Sequence, residues 1–172
     1  MPTGIIGVDL SPALAEAARR LAREEGLADR VEFRAGDTRS PDLPAGSFDV
    51  VVAHTLVSHV DNPLAVIKEA ARVVKPGGMV GIFDGDYASL TLSHEDPAKG
   101  QAHHQALIKA VVTSPRVMRQ MPRLLREAGL ELVVSLPYVL AQIGRADFWV
   151  SAIESLIRKK QAVGNRRGGL YL

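Results

Sequence analysis

Cysteine is absent from all 172 residues. Disulfides, thiolate metal sites and cysteine nucleophiles are thereby excluded, and the absence fits a reducing compartment. An excess of one charge is also lacking: 21 Lys and Arg stand against 19 Asp and Glu, a formal net charge of +2. Much of the basic excess lies in Arg158, Lys159, Lys160, Arg166 and Arg167. No aromatic residues interleave with these charges, so they read as a solvated helix end and a frayed tail rather than a nucleic-acid patch. No apolar run reaches membrane-spanning length. The stretch from Met1 to Asp9 has neither a positive flank nor a long apolar region, so it does not read as a signal peptide. A cytoplasmic protein with no nucleic-acid and no membrane partner is expected.

What is present supports a packed fold. Hydrophobic residues make up 47% and charged residues 23%, a balance that argues against wholesale disorder. The length suits one domain over residues 1–172. Ile5 to Asp9 is a short apolar run ending in an acid and reads as a buried strand. Ser11 and Pro12 then suit a helix cap and first helical position, with Gly26 as the stop. Val31 to Ala35 alternates like a strand and ends at Gly36 and Asp37. Phe48 to Ala53 is rich in β-branched residues and reads as a further strand. Asn62 and Pro63 start a helix with an apolar stripe at Leu64, Ile67, Ala71 and Val74. Lys75-Pro76-Gly77-Gly78 breaks it, and Met79 to Asp84 is the next strand. Residues 85–130 read as loop and short helices, a helical lid over the site. Leu130 to Tyr138 reads as a last strand, Ala146 to Gln161 as a helix, and residues 162–172 as a loose tail.

Strands alternating with helices imply an α/β fold, a mostly parallel sheet with helices on both faces. Ligands of such sheets bind beyond the carboxyl ends of the strands. Attention therefore falls on Asp9, Asp37, His54 and Asp84. Asp9, between strand and helix, can accept from both ribose hydroxyls of a nucleoside, or can simply support the helix N-terminus; both readings stand. Gly36 permits close backbone approach and Asp37 can accept from an adenine amino group, but taken alone the pair reads first as an ordinary turn. The strand from Phe48 to His54, followed after one helix by Val73 to Gly78 and another strand, is far more specific.

Taken together, the order Gly7-Val-Asp-Leu-Ser11, Gly36-Asp37, Phe48 to Val52 and Val74-Lys-Pro-Gly-Gly78 resembles the class I, S-adenosylmethionine-dependent methyltransferases of the type-11, ubiquinone/menaquinone-biosynthesis-like group. The resemblance covers residues 4 to about 84. It implies a Rossmann-like fold with S-adenosylmethionine as cofactor. Asp9 would bind the ribose, with Leu10 on the adenine and Ser11 beside them. Asp37 would read the adenine amino group, flanked by Gly36 and Thr38. Ala53, His54 and Thr55 would face the methionine part. The family begins with a strand and a Gly-x-Gly loop that find no match here, so the chain reads as N-terminally truncated, lacking the usual first strand and glycine-rich loop. In the family's sheet order that strand lies between the Asp9 and Phe48 strands. Its loss is expected to leave two unpaired edges, and to leave an isolated monomer with weak or absent cofactor affinity.

His59, Asp84 and Tyr87 are the candidate substrate contacts. For Asp84, Asp86 and Tyr87 a turn held by Asp side chains is the competing reading. His54 or His59 can serve as a general base toward a hydroxyl, but methyl transfer needs mainly in-line positioning, so a packing or loop role is the default and no catalytic residue is assigned. His103 and His104 read as a solvated pair, and no metal site is expected. Three functions compete: methyl transfer to a small-molecule acceptor, a non-catalytic methyltransferase-like module that self-associates as a homodimer, and a nicotinamide-dinucleotide dehydrogenase. The last lacks its glycine fingerprint. The missing cysteines also argue against arsenic methylation, which uses thiols in related enzymes.

Overall fold

The computed structural model describes residues 4–140. The expected helix at 146–161, the tail at 162–172 and the basic cluster lie outside them. Two parallel βαβ units follow one another. The first consists of β1 (Ile5–Asp9), α1 (Pro12–Glu24) and β2 (Val31–Ala35); the second of β3 (Phe48–His54), α2 (Pro63–Val73) and β4 (Val74–Phe83). β1 pairs with β2 from Ile5 opposite Val31 to Asp9 opposite Ala35. β3 pairs with β4 from Val50 opposite Met79 to His54 opposite Phe83, with a further pair at Phe48 and Val74.

The helices start as their sequences dictate. Ser11 Oγ accepts from the Leu14 amide at 3.3 Å, and Pro12 opens α1. Asn62 Oδ1 accepts from the Ala65 amide at 3.1 Å, and Pro63 opens α2. Each cap satisfies one of the amides that a helix start leaves without a partner. After α1, Gly26 takes the left-handed conformation (φ +67°) that ends the helix.

The Pro-Gly-Gly turn lies inside β4 rather than before it, because Val74 already pairs with Phe48. Residues 75–78 loop out opposite Asp49. Gly77 has φ +77°, and a Cβ on Gly78 would stand 2.7 Å from the Asp49 carbonyl oxygen and 2.8 Å from a Val74 methyl. Lys75 Nζ closes the loop on Asp49 Oδ1 at 2.8 Å. Glycine at 78 is a steric requirement of this turn.

One core forms where α2 meets the chain after β3 and before residue 130. Ile67 and Val66 of α2 pack with Val57, Val117, Met121, Leu124 and Leu125, and Ile82 of β4 joins them. The expected lid is therefore two things. The 3-10 turn at Val117–Gln120 and helix α4 (Met121–Glu127) are core, whereas α3 (Pro97–Val111) packs Ile108, with Val112 beyond its end, against Tyr87 in a smaller cluster.

One expectation needs correction. Residues 131–140 form no strand. Val133, Leu136 and Val139 are more than 80% exposed, and β-branched side chains favour a strand only where a pleated neighbour half-buries them. The parallel strands fall into two ribbons, and the unpaired edges expected between the Asp9 and Phe48 strands are present: among the described residues no ladder joins β1–β2 to β3–β4. The two ribbons are connected by a loop. Its Gly46 and Ser47 amides donate to the Arg72 and Val73 carbonyls at 2.9 and 2.8 Å, and Arg72 donates to the Leu43 carbonyl at 2.8 Å.

Candidate cofactor and acceptor site

At the carboxyl end of the first ribbon, Asp9 lies opposite Ala35, and the Gly36 amide donates to the Asp9 carbonyl at 2.9 Å. This brings Asp9, Leu10, Ser11, Gly36, Asp37 and Thr38 to one ribbon end. Asp9 Oδ1 accepts from the Ser11 amide at 2.7 Å, which fixes the carboxylate and leaves lone pairs for further donors. Leu10 is 72% exposed, an apolar side chain open to a flat partner. A Cβ on Gly36 would meet only Val8, at an ordinary 3.7 Å, so the protein itself does not demand glycine there. Asp37 is held back by its neighbour. Arg39 donates from Nε to both carboxylate oxygens (2.9 and 3.0 Å), from a terminal nitrogen to Oδ2 (2.7 Å) and from its amide to Oδ1 (2.9 Å). These bonds hold the Asp37 carboxyl at about 2, because each favours the ionised form.

At the carboxyl end of the second ribbon, alternation decides which side chains are available. Ala53 is buried on the same face as Ile82, so only its backbone can meet a ligand. His54 lies on the opposite face and stacks on Phe83, ring centres 4.7 Å apart. Phe83 stacks in turn near Tyr138, at 5.8 Å. Thr55 is the one described residue other than glycine with positive φ (+49°). A β-branched residue there costs on the order of 1–3 kcal/mol and persists only where its surroundings hold it. The Thr55 amide donates to the Phe83 carbonyl at 2.8 Å, and its hydroxyl lies 3.0 Å from His54 Nδ1.

Asp84 directly follows β4, with both oxygens engaged. Oδ1 accepts from Ser58 Oγ at 2.7 Å and from the Gly85 amide at 2.8 Å, and Oδ2 accepts from the Ser58 amide at 3.0 Å. Ser58 is fully buried. Burial, with the nearby Asp84 charge, pushes the Tyr87 phenol up. His59 Nδ1 lies 3.1 Å from the Val111 carbonyl. A carbonyl only accepts, so Nδ1 carries the proton and Nε2 is the lone-pair nitrogen of the neutral ring. The Ser114 amide donates to the Ser58 carbonyl at 2.7 Å and Thr113 Oγ1 to the His59 carbonyl at 3.3 Å, stitching the end of α3 onto this loop.

The structure thus gathers the candidates into two groups, one per ribbon, and among the described residues no hydrogen bond joins the groups. Ser58, Phe83 and Thr55 went unnoticed or underused in the sequence reading. A serine in a loop carries no periodic signal, and a positive φ at threonine has none. The histidine pair needs correction: His103 is exposed, but His104 is buried, with Nε2 3.4 Å from the Tyr87 carbonyl. Helical spacing turned only one of the two inward. Among the described residues no three metal-ligating side chains cluster, and no helix is long and apolar enough to cross a membrane.

Two parallel βαβ units define a Rossmann-like α/β domain. Residues 3–82 match a family described as Methyltransferase domain. Phosphatidylethanolamine N-methyltransferase of Cereibacter sphaeroides is 35% identical over 127 residues, 69% of this chain and 63% of that protein. The YcgJ protein of Bacillus subtilis shares the fold with a TM-score of 0.54 at 25% identity, over 73% of this chain and 52% of that one. Geranyl diphosphate C-methyltransferase from Streptomyces coelicolor A3(2), solved with Mg2+, geranyl diphosphate and S-adenosyl-L-homocysteine, aligns with a TM-score of 0.52 at 20% identity. That match covers 72% of this chain and 42% of the enzyme. In sequence and in fold the chain is thus similar to methyltransferase domains. It spans 39%, 25% and 63% of the length of three curated relatives that it matches.

Proposed function

We propose that this chain binds S-adenosylmethionine and takes part in methyl transfer to a small-molecule acceptor. The observation that carries the reading is the first ribbon's end, where a fixed carboxylate, an exposed leucine and the turn at residues 36–38 stand side by side. These residues fit a nucleoside. Asp9 accepts the ribose hydroxyls with the lone pairs that Ser11 leaves free. Leu10 covers one face of the adenine. Asp37 reaches the adenine amino group only by sharing its carboxylate with Arg39, and Thr38 and Gly36 shape that turn.

Bound cofactor supplies an electrophilic methyl group. The Ala53 backbone, His54 and Thr55 border its amino-acid part, and Thr55's left-handed backbone turns the chain away from β3 at that point. His59, Asp84 and Tyr87 form the acceptor side. Asp84 acts as wall rather than contact, since Ser58 and Gly85 use both its oxygens. Tyr87 presents a neutral phenol, and His59 a basic Nε2 toward an acceptor hydroxyl. The cysteine-free composition is in keeping with a cytoplasmic setting. Calorimetric titration with S-adenosylmethionine and its demethylated product tests the reading. Weak binding that weakens further in Asp9→Asn supports it; no binding by wild type, or equal binding by the variant, rejects it.

A second reading has its own observation. Val50 and Val52 of β3 and Met79 and Phe83 of β4 share one exposed face, and among the described residues β1 and β3 each have one strand neighbour. Two-stranded ribbons with open apolar faces are marginal alone. A second copy of this chain packed on that face gives a self-associating module. Sedimentation of wild type against Val52→Lys separates the readings: a dimer lost in the variant favours association, and a monomer throughout rejects it.

A further inference from the structure

α3 and the residues after it line an open cavity of about 670 Å3, within the range of small-molecule sites. Its apolar part is Ile108 and Val112, both buried against Tyr87. His104, buried, and Gln105 add polar groups, and Lys109 and Arg116 add two positive charges. No acidic residue lines it, and neither cation forms an ion pair among the described residues. The carboxyl end of α3 lies here and opposes an anion with roughly half a negative charge. Its Val111 carbonyl is, however, already covered by the His59 N–H. Two full positive charges outweigh what remains of the dipole, so the cavity's potential favours an anion.

We propose that this cavity is a binding site for an amphipathic organic anion, a carboxylate on an aliphatic body. The carboxylate meets Lys109 and Arg116, and the aliphatic body lies on Ile108 and Val112. Nothing in the proposal depends on methyl transfer, and the test omits the cofactor. Octanoate and octanol are titrated calorimetrically into wild type and into K109Q/R116Q. Both side chains are exposed, so the variant is expected to melt as wild type does; the single variants K109Q and R116Q repeat the measurement with one charge each. Octanoate is expected to bind wild type and to bind the double variant roughly tenfold more weakly, the scale of a charge-assisted contact, with each single variant intermediate. Octanol is expected to bind both proteins alike and less tightly than octanoate binds wild type. No octanoate binding, equal octanoate affinity in wild type and variants, or octanol binding as tightly as octanoate overturns the proposal.

Discussion

The two βαβ units have the same element order and the same parallel pairing, yet they are packed very differently. In the second, α2 buries Val66, Ile67, Ala70 and Val73, and α4 brings a further layer of leucines and methionine onto it. In the first, α1 buries only Ala15 and Ala22, while its Leu14 and Leu21 remain more than half exposed. The nucleoside-facing candidates sit on the thinly packed unit and the acceptor-facing ones on the well-packed unit. A carboxylate site needs only a fixed turn, which Asp9 and Ser11 supply locally. The acceptor wall proposed above would need buried support to exclude water, and the fully buried Ser58 gives Asp84 that support.

The sharpest way to break this comparison is to remove one large side chain from each unit. Ile67→Ala empties a site that is 1% exposed and is expected to cost about 2–5 kcal/mol in urea unfolding. Leu21→Ala, at 57% exposure, is expected to change stability by no more than about 0.5 kcal/mol. Equal losses would mean that the first unit has a core of its own. Hydrogen exchange should agree: β1 amides are expected to open at lower free energy than those of β3.

Next in size is the turn within β4. Gly78→Ala places a methyl group against the Asp49 and Lys75 carbonyls and Val74, of which the two carbonyls are backbone and cannot swing aside. A loss of about 1–3 kcal/mol is expected from thermal melts, while Gly36→Ala, with only an ordinary contact to Val8, is expected to leave stability nearly unchanged. On ligand binding, Asp9→Asn is expected to weaken S-adenosylmethionine by about ten- to a hundredfold, the worth of hydrogen bonds to a charged group. Stability should barely move, which would place Asp9's part in the ligand rather than in α1's start.

These contrasts also show what the chain discloses before it is folded. Ser11 with Pro12 and Asn62 with Pro63 announce helix starts because capping is local chemistry. Phe48 to Ala53 announces a strand because β-branched residues have few other uses. The Lys-Pro-Gly-Gly turn is visible as a motif, and its steric reason appears only when Asp49 is seen across the ladder. Leu130 to Tyr138 misleads because apolar alternation marks a willing strand without supplying a neighbour. Likewise α4 reads as part of a lid, because nothing in its composition shows that Leu124 and Leu125 meet Ile67. Asp84 was legible as a strand-end acid, but its bonds to Ser58, twenty-six residues away, are purely tertiary.

The smallest effect concerns Asp37 and bears on whether the first unit's turn is free to bind. Arg39 lowers the Asp37 carboxyl from its ordinary value of 3.8 to about 2 in the folded chain. A folded value below the unfolded one stabilises the fold above pH 3.8, and that contribution is lost as pH falls through about 2. Both groups are solvent-facing, so the effect on stability is small and fades with salt. Arg39→Gln removes the guanidinium that acts most strongly on this carboxylate, and its midpoint is expected to climb toward the ordinary range by NMR titration. The same variant leaves Asp37 ionised at neutral pH but unshared. If Asp37 reads the adenine amino group, adenosine compounds should bind Arg39→Gln at least as tightly as wild type. Weaker binding would assign the Asp37–Arg39 pair, rather than the carboxylate alone, to the cofactor.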